Sequence, residues 1–301
     1  MTLERPRATT GATIESTPRL QIGTESLASD TRPERNGDAV IQGTNFVGVL
    51  DGVGGREGGA VASQETKNFL KAALQELSPK LSAQEVVSQL VRILQEANDN
   101  LLQLRREGPY PEMGTTASVV WFVESVATVQ QAVIANVGDS RVYVWRATTQ
   151  KLEQITLDDN LVSRDYEIET EARSLQQKFN NVIDPSELTE SEKEYFESRN
   201  MITQVLGRQD TQPRTYIVDL STGDKLLVSS DGLHDNLTDL QIEALLRQDI
   251  TPQQHSERLA ALALDASRAG SHRSKRDDIS VCVVEVTGSS APMSDSGPSS
   301  V

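Results

Sequence analysis

Four aspartates, each at one end of an apolar run, are the residues of this chain with the clearest chemistry. FVGVL precedes Asp51, VIANVG precedes Asp139, KLLVSS precedes Asp231, and Asp277 with Asp278 comes just before ISVCVVEV. Apolar runs of this kind predict strands, and a strand end can aim a carboxylate. Clustered carboxylates repel one another unless a hard cation takes their oxygens as ligands. The pattern therefore predicts a metal site.

The segment Asp51-Gly52 is the sharpest local signal for such a site. A carboxylate at a strand end can bridge two cations, and a following glycine lets the backbone offer its carbonyl to an ion. An isolated Asp-Gly pair is usually only a turn, and the same holds for Asp231-Gly232. The combination of four such aspartates in strand contexts is what favours metal binding.

Two neighbouring divalent cations would lower the pKa of a bridging water and neutralise the charge of a phosphoryl group. The sequence offers no competing arrangement of serine, histidine and acid. Its three histidines, His234, His255 and His272, are scattered. For His234, which follows Asp231 closely, a hydrogen bond at the surface or in a turn is the expected role, and contact with substrate is the alternative.

Composition excludes several other classes of protein. The formal charge is −15, from 29 basic and 44 acidic residues, which argues against a nucleic-acid backbone or an anionic membrane as the main partner. The single cysteine, Cys282, allows no disulfide within the chain and no zinc-type cysteine cluster. No run approaches the roughly 20 apolar residues of a membrane span. The N-terminus lacks an apolar signal core, so we expect a cytoplasmic protein.

Changes in composition divide the chain into three parts. Residues 1–18 and residues 287–301 are polar and are predicted to be disordered tails, which leaves residues 19–286 as one domain. Residues 158–200 are highly charged and predict a surface insertion over the site end of the sheets. Its acidic side chains are expected to form a solvated face and not to bind metal.

Valine-rich and isoleucine-rich runs bounded by Gly, Asp or Asn predict six strands. These are Thr44–Leu50, Thr116–Val123, Ala127–Val137, Arg141–Trp145, Lys225–Ser229 and Ile279–Val286. The segment Val137–Ser140 stands between two of them, as a hairpin connection would.

Four helices are predicted from caps and from apolar spacing. Ser82 to Glu85 form a capping box, and Thr251-Pro252 reads as an N-cap followed by proline in the first turn. In the helix after Thr251, the residues expected on the buried side are Leu259, Leu262, Ala263 and Ala266. The other two helices are Gly59–Leu77 and Thr238–Arg247. Two helices follow one another between strands, so strict βαβ alternation is absent. The order favours an α+β fold of mainly antiparallel sheets with helices outside.

From about Asn36 to Val286, the chain resembles the metal-dependent serine/threonine phosphatases of the protein phosphatase 2C (PPM) type, particularly the bacterial members. The order and spacing of several short motifs match. They are Asn36–Asp38, Asp51–Gly55, Met113–Thr116, Val137–Arg141, Gly207, Ser230–Leu233 and Asp277-Asp278.

The resemblance implies an α-β-β-α sandwich of two sheets with a Mn²⁺ or Mg²⁺ centre at one end. Asp51 would bridge two ions, with the Gly52 carbonyl on one of them and Asp231 and Asp277 on the other. Asp139 would hold a third ion with Asp231, as in bacterial relatives, and Asp38 would lie in or near the shell of the second metal.

The resemblance also implies a reaction and a partner. A metal-bridging hydroxide, held by Asp51 and Asp231 as the catalytic residues, would attack the phosphorus of phosphoserine or phosphothreonine directly. The partners would be phosphorylated proteins, acted on by a monomer. The insertion at 158–200 would be the family's variable flap.

Two positions depart from the first family motif, which usually reads Arg-x-x-x-Glu-Asp. Pro33 stands at the arginine position and Gly37 at the glutamate position. Arg32 and Arg35 flank the gap, and either could bind the substrate phosphate. These departures leave open a second hypothesis, in which a degenerate phosphatase fold binds phosphoproteins or regulatory partners without turnover. Retention of the aspartates favours the enzyme.

Overall fold

The computed structural model describes residues 19–55, 57–123, 129–166 and 168–288, and it contains two antiparallel β-sheets. The first sheet has five strands in the spatial order β1-β11-β10-β7-β8. They are β1 (Arg19–Leu27), β7 (Arg141–Arg146), β8 (Lys151–Gln154), β10 (Lys225–Ser229) and β11 (Ile279–Thr287).

The second sheet has six strands, five of them in the order β2-β3-β5-β6-β9, with the short β4 paired to β3. They are β2 (Asp38–Gln42), β3 (Phe46–Val53), β4 (Gly114–Thr115), β5 (Ala117–Phe122), β6 (Gln130–Val137) and β9 (Arg214–Leu220).

Along the chain, the helices lie between these strands. They are α1 (Gly58–Gln75), α2 (Ala83–Glu107), α3 (Leu161–Asp165), α4 (Glu169–Phe179), α5 (Glu190–Glu197), α6 (Asp231–His234), α7 (Asp239–Leu246) and α8 (Pro252–Ser267). Among the described residues, no helix combines the length and the apolar character needed to cross a membrane.

The two sheets stack face to face, and alternation along the strands decides which layer each side chain joins. On β7, Val142 and Val144 enter the core between the sheets, whereas Tyr143 and Trp145 pack in the layer below α7 and α8. Helices α1 and α2 cover the outer face of the six-stranded sheet. The result is the predicted α-β-β-α sandwich, which is confirmed.

Cys282 lies in the core between the sheets and is fully buried. Burial raises the pKa of its thiol to about 12. The thiol therefore behaves as a small apolar side chain.

The predicted hairpin at Val137–Ser140 is wrong. β6 ends at Val137 in the six-stranded sheet, and β7 begins at Arg141 in the five-stranded sheet, so the segment carries the chain from one sheet to the other. Five strands, β1, β2, β4, β8 and β9, were not predicted. Exposed and half-buried positions interrupt the apolar pattern of β1, β8 and β9, and β2 and β4 are only five and two residues long. Of the predicted strand Ala127–Val137, the first two residues lie outside the described part of the chain.

The predicted disordered tails fall almost entirely outside the described residues. Residues 1–18 and 289–301 are not among them. Thr287, which the sequence placed in the C-terminal tail, is the last residue of β11 and pairs with Arg19 at the start of β1.

The helix caps agree with the predictions. The Ser82 side chain accepts the Glu85 N–H while the Glu85 carboxylate accepts the Ser82 N–H at 2.8 Å. Thr251 caps α8 in the same way, with Pro252 in the first turn. One prediction on α8 is wrong: Leu262 is 39% exposed, although it was expected on the buried side with Leu259 and Ala263.

The insertion at 158–200 is ordered into α3, α4 and α5 around a small hydrophobic cluster of its own, which includes Leu157, Phe179 and Phe196. The expectation that its acids form a solvated face is wrong for two of them. Asp158 and Asp159 are buried and tie the start of the flap to the sheets.

Candidate metal centre

Asp51 is fixed by β3 and by the strand next to it. Its Cα lies opposite that of Asp38 on β2. Its N–H donates to the Thr116 hydroxyl at 2.9 Å, and its carbonyl accepts the Thr116 N–H at 2.8 Å. The side chain is only 9% exposed, so the backbone hydrogen bonds hold a nearly buried carboxylate in one place.

Asp38 is buried beside Asp51 and accepts a hydrogen bond from the Ser230 hydroxyl at 2.7 Å. Ser230 immediately precedes Asp231, so this bond joins the edge of one sheet to the turn after β10 of the other. Burial is the main cause that raises the pKa of Asp38 to about 8, and the charges of Asp278 and Asp277 raise it further.

Asp231 follows β10 as the first residue of the single-turn helix α6. It is 3% exposed, and burial raises its pKa to about 6, against the lowering effect of Lys275. The charges of Asp235 and Asp277 add to the increase.

Asp139 lies at the crossing between the sheets. The preceding Gly138 has φ +97°, and a Cβ there would lie 2.7 Å from a Thr116 side-chain atom, so the turn requires glycine. Asp139 is buried, and its pKa is raised well above its ordinary value by burial and then by the charge of Asp231.

Gly52 is enclosed by backbone. A Cβ added there would lie 2.2 Å from the Gly59 carbonyl oxygen and 2.7 Å from that of Gly37. Only glycine fits at this close approach, because a side chain would clash with the backbone on both sides.

Asp277 and Asp278 have different roles at the start of β11. Asp277 is partly exposed, and its charge raises the pKa of Asp38, Asp51 and Asp231. Asp278 accepts the N–H groups of Ser29 and Gly37, both at 2.7 Å. These two hydrogen bonds give Asp278 a structural role and hold the loop through Gly37 in place.

The predicted metal aspartates come together at one end of the sandwich. The charges of Asp38, Asp231 and Asp277 all raise the pKa of Asp51, whose largest shift comes from burial. One oxygen each of Asp139 and Asp231 is buried without a hydrogen-bond partner among the described residues. Buried carboxylate oxygens of this kind fit Mn²⁺ or Mg²⁺, which take oxygen ligands.

A basic side chain lies among these carboxylates. The Lys275 ammonium contacts Asp231 and is 3.2 Å from Asp277 and 3.3 Å from Asp235. Within the described ranges, no three acidic, histidine or cysteine side chains are arranged closely enough to hold one metal ion. One oxygen of each acid, Asp231 Oδ2 and Asp277 Oδ2, is directed to the ammonium.

Neither Lys275 nor Asp235 was predicted as a site residue. Asp235 follows Asp231 by four residues, and this spacing on a helical turn would have placed the two carboxylates on one side. Lys275 stands in the charged run HRSKRDD, where a lysine is ordinarily solvated. Its type and position therefore gave no reason to predict it at the site.

The two candidate phosphate-binding arginines differ in position. Arg32 Nη2 lies 3.7 Å from Asp277 Oδ1, at the rim of the carboxylate cluster. Arg35 Nη1 lies 3.6 Å from Glu57 Oε1, beyond the end of β3. The structure therefore brings Arg32 to the predicted metal ligands.

The flap joins this end of the sandwich through buried ion pairs and hydrogen bonds. Arg273 donates to the carbonyls of Phe179 and Val182 in the flap and to that of His234 on α6. A polar cavity of about 20 Å³ lies between the flap and the site, with Asp139 on its wall, and has room for about one water. His234 lines this cavity and is buried, so its predicted surface role is wrong.

Comparison with known proteins agrees with this architecture. The family model for protein phosphatase 2C matches residues 34–265. Protein phosphatase PhpP of Streptococcus pneumoniae is 29% identical over 249 residues, which cover 80% of this chain and 91% of PhpP.

Solved structures show the same fold. The serine/threonine phosphatase Stp1 of Staphylococcus aureus superposes with a TM-score of 0.71 at 27% identity, covering 92% of this chain and 99% of Stp1. The catalytic domain of the serine/threonine phosphatase PstP, solved in complex with two manganese ions, superposes with a TM-score of 0.69 at 24% identity. That match covers 90% of this chain and all of the PstP domain.

Proposed function

This chain belongs to the protein phosphatase 2C family, and we propose that it hydrolyses phosphoserine and phosphothreonine in proteins with the help of bound Mn²⁺ or Mg²⁺. The observation that carries the proposal is the convergence of Asp38, Asp51, Asp139, Asp231 and Asp277. They come from separate strand ends, and two of them keep buried oxygens without hydrogen-bond partners among the described residues. Such a cluster is costly to a fold unless cations bind there.

The divalent ions, when bound, would supply an activated water and neutralise charge on the phosphoryl group. Asp51 would be one central ligand, because the charges of Asp38, Asp231 and Asp277 all raise its pKa, and Asp231 would be the other, because its charge acts on both Asp51 and Asp139. Asp38, Asp139, Asp277 and the Gly52 carbonyl would complete the set. The number of ions, two or with a third at Asp139, is part of the proposal.

Of the two arginines, Arg32 is our candidate for holding the substrate phosphate. Its guanidinium lies at the open rim of the cluster, beside Asp277, where a phosphate bound to the ions would be within its reach. A guanidinium can form two parallel hydrogen bonds to phosphate oxygens. Arg35 lies near Glu57 and is less favoured.

The non-catalytic alternative finds little support in the site. Its basis was the loss of the family's arginine and glutamate at Pro33 and Gly37. The loop that carries both is nevertheless held by Asp278, and Asp38 remains buried against Ser230. The similar curated proteins are named as phosphatases.

The test is metal-dependent hydrolysis of a phosphothreonine peptide by the full chain, with Asp231→Asn as the inactive variant and the exposed-strand variant Asp219→Asn as the matched control. We expect turnover with Mn²⁺ or Mg²⁺, none with chelator, and loss only in Asp231→Asn. Absence of turnover with any divalent ion, in a protein that binds the ion, would favour the non-catalytic alternative.

The proposal extends to the cellular context. We propose a cytoplasmic monomer whose partners are phosphorylated proteins. The net charge of −15 supports the exclusion of nucleic acid and of anionic membrane surfaces as partners.

A further inference from the structure

Lys275 is the basic side chain that lies among the predicted metal ligands. Its ammonium contacts Asp231 Oδ2 and lies 3.2 Å from Asp277 Oδ2, so it touches two carboxylates assigned to metal. Asp235, at 3.3 Å, completes a triad of acids around it. Three carboxylates around one ammonium resemble the environment that the same oxygens would give a metal cation.

The backbone of Lys275 is held in place by a buried side chain. The Lys275 N–H donates to Asn236 Oδ1 at 2.9 Å, and Asn236 Nδ2 donates back to the Lys275 carbonyl at 2.9 Å. The same amide also donates to the Gly232 carbonyl at 2.8 Å. Because Asn236 fixes Lys275 against the turn that carries Asp231, the ammonium is directed to the cluster by a built arrangement and not by a loose surface loop.

The neighbouring basic residue is oriented differently. Arg276 Nη1 lies 3.7 Å from Asp30, and its side chain is about half exposed. The side chains of these adjacent residues therefore point to different places: Lys275 lies within the carboxylate cluster, and Arg276 lies outside it. Arg276 thus provides a matched control for the loss of one positive charge.

We propose that Lys275 is a tethered cation that occupies the Asp231–Asp277 side of the metal centre in the metal-free protein and must leave when a divalent ion binds there. An ammonium and a divalent ion cannot share the same carboxylate oxygens without strong repulsion. Lys275 thus weakens binding of that ion and also stabilises the metal-free fold by neutralising Asp231 and Asp277. This inference rests on the proposed metal site but not on phosphatase activity.

The first test is calorimetric titration of metal-free protein with Mn²⁺, comparing Lys275→Met with Arg276→Met. We expect the weakest Mn²⁺ site to have a Kd about tenfold lower, or lower still, in Lys275→Met than in the wild type. Arg276→Met should leave this Kd unchanged. Equal or weaker Mn²⁺ binding by Lys275→Met would overturn the proposal, whether or not the protein hydrolyses phosphopeptides.

A second measurement uses the unmutated chain and so does not depend on how a variant folds. Lysine acetylation by a water-soluble reagent is followed by mass spectrometry, with and without Mg²⁺. Displacement predicts faster labelling of Lys275 when Mg²⁺ is present, while the exposed Lys71 on α1 serves as the internal reference. Unchanged or slower labelling of Lys275, in protein shown by calorimetry to have bound Mg²⁺, contradicts displacement.

Discussion

Arg141 on β7 and Asp158 at the start of the flap form a buried two-point ion pair. The distances are 2.8 Å from Nε to Oδ1 and 2.6 Å from Nη2 to Oδ2. The guanidinium also donates to Asn180 of the flap at 3.0 Å. Arg141 follows Asp139 by two residues, so one strand start both supplies a predicted metal ligand and anchors the flap above it.

Replacing Asp158 with Asn should destabilise the protein by about 3 kcal/mol, because it leaves the buried Arg141 without its counter-charge. The measurement is urea unfolding followed by circular dichroism. Glu153→Gln is the matched control, since Glu153 pairs with the more exposed Arg146 and should cost less than about 1 kcal/mol. Equal losses in the two variants would mean that burial of the Arg141–Asp158 pair has no special effect.

Replacing Asp51 with Asn should lower kcat for a phosphothreonine peptide by about a hundredfold or more, because it would weaken a proposed central ligand of the ions. It should also remove most of the increase in Tm that Mn²⁺ gives the wild type. Differential scanning fluorimetry with and without Mn²⁺ checks the second effect. A variant that keeps the full increase in Tm would refute the assignment of Asp51 as the bridging ligand.

Stability of the metal-free protein should fall as pH rises from about 4 to 8. The pKa values of Asp38 and Asp231 are raised from 3.8 to about 8 and about 6. A raised pKa means that the folded state favours the protonated acid, so this stabilisation is complete below pH 3.8 and is lost as pH rises through the raised values. Divalent ions bind the ionised acids, so the Tm gain from Mg²⁺ should be larger at pH 8 than at pH 6.

Thermal unfolding in EDTA and in Mg²⁺ across that pH range measures this effect. Asp38→Asn removes the acid with the pKa of about 8, so it should flatten the pH dependence in EDTA. A metal-free wild type whose Tm rises between pH 6 and pH 8 would show that the acids are not the controlling groups.

Arg32→Ala should raise KM for a phosphopeptide more than it lowers kcat, because the arginine would bind the phosphate in the ground state as well as in the transition state. Arg35→Ala should have a smaller effect on KM, since its guanidinium lies near Glu57. Steady-state kinetics at saturating Mn²⁺ distinguishes the two. A larger increase in KM in Arg35→Ala than in Arg32→Ala would indicate that Arg35, and not Arg32, binds the substrate phosphate.

The sequence predicted the longer strands that are buried on both faces, and it missed β1, β8 and β9, which have a polar face, and the short strands β2 and β4. β10 and β11 read as continuous apolar runs, whereas β8 alternates exposed and half-buried residues over only four positions. The error at Val137–Ser140 has a different cause. Two apolar runs joined by a tight turn look alike whether the second strand pairs with the first or enters the other sheet.

The sequence could suggest only those site residues that stand at the ends of predicted strands. Asp51 and Asp231 were identifiable because each follows an apolar run and precedes a glycine. Lys275 could not be identified, because its place depends on the hydrogen bonds of Asn236 and not on a strand. The buried roles of Asp158 and Asp159 likewise depend on arginines that are distant in sequence, Arg141 and Arg214.

The hydrogen bonds from Ser29 and Gly37 to Asp278 have a mechanical consequence for the whole sandwich. β1 belongs to one sheet and β2 to the other, and the loop between them is fastened at both ends to the same carboxylate at the start of β11. Sliding of one sheet over the other would have to break the Gly37 hydrogen bond, because Gly37 leads into β2 of one sheet while Ser29 and Asp278 adjoin β1 and β11 of the other. A single side chain thus resists shear beside Asp38 and Asp277, two of the proposed metal ligands.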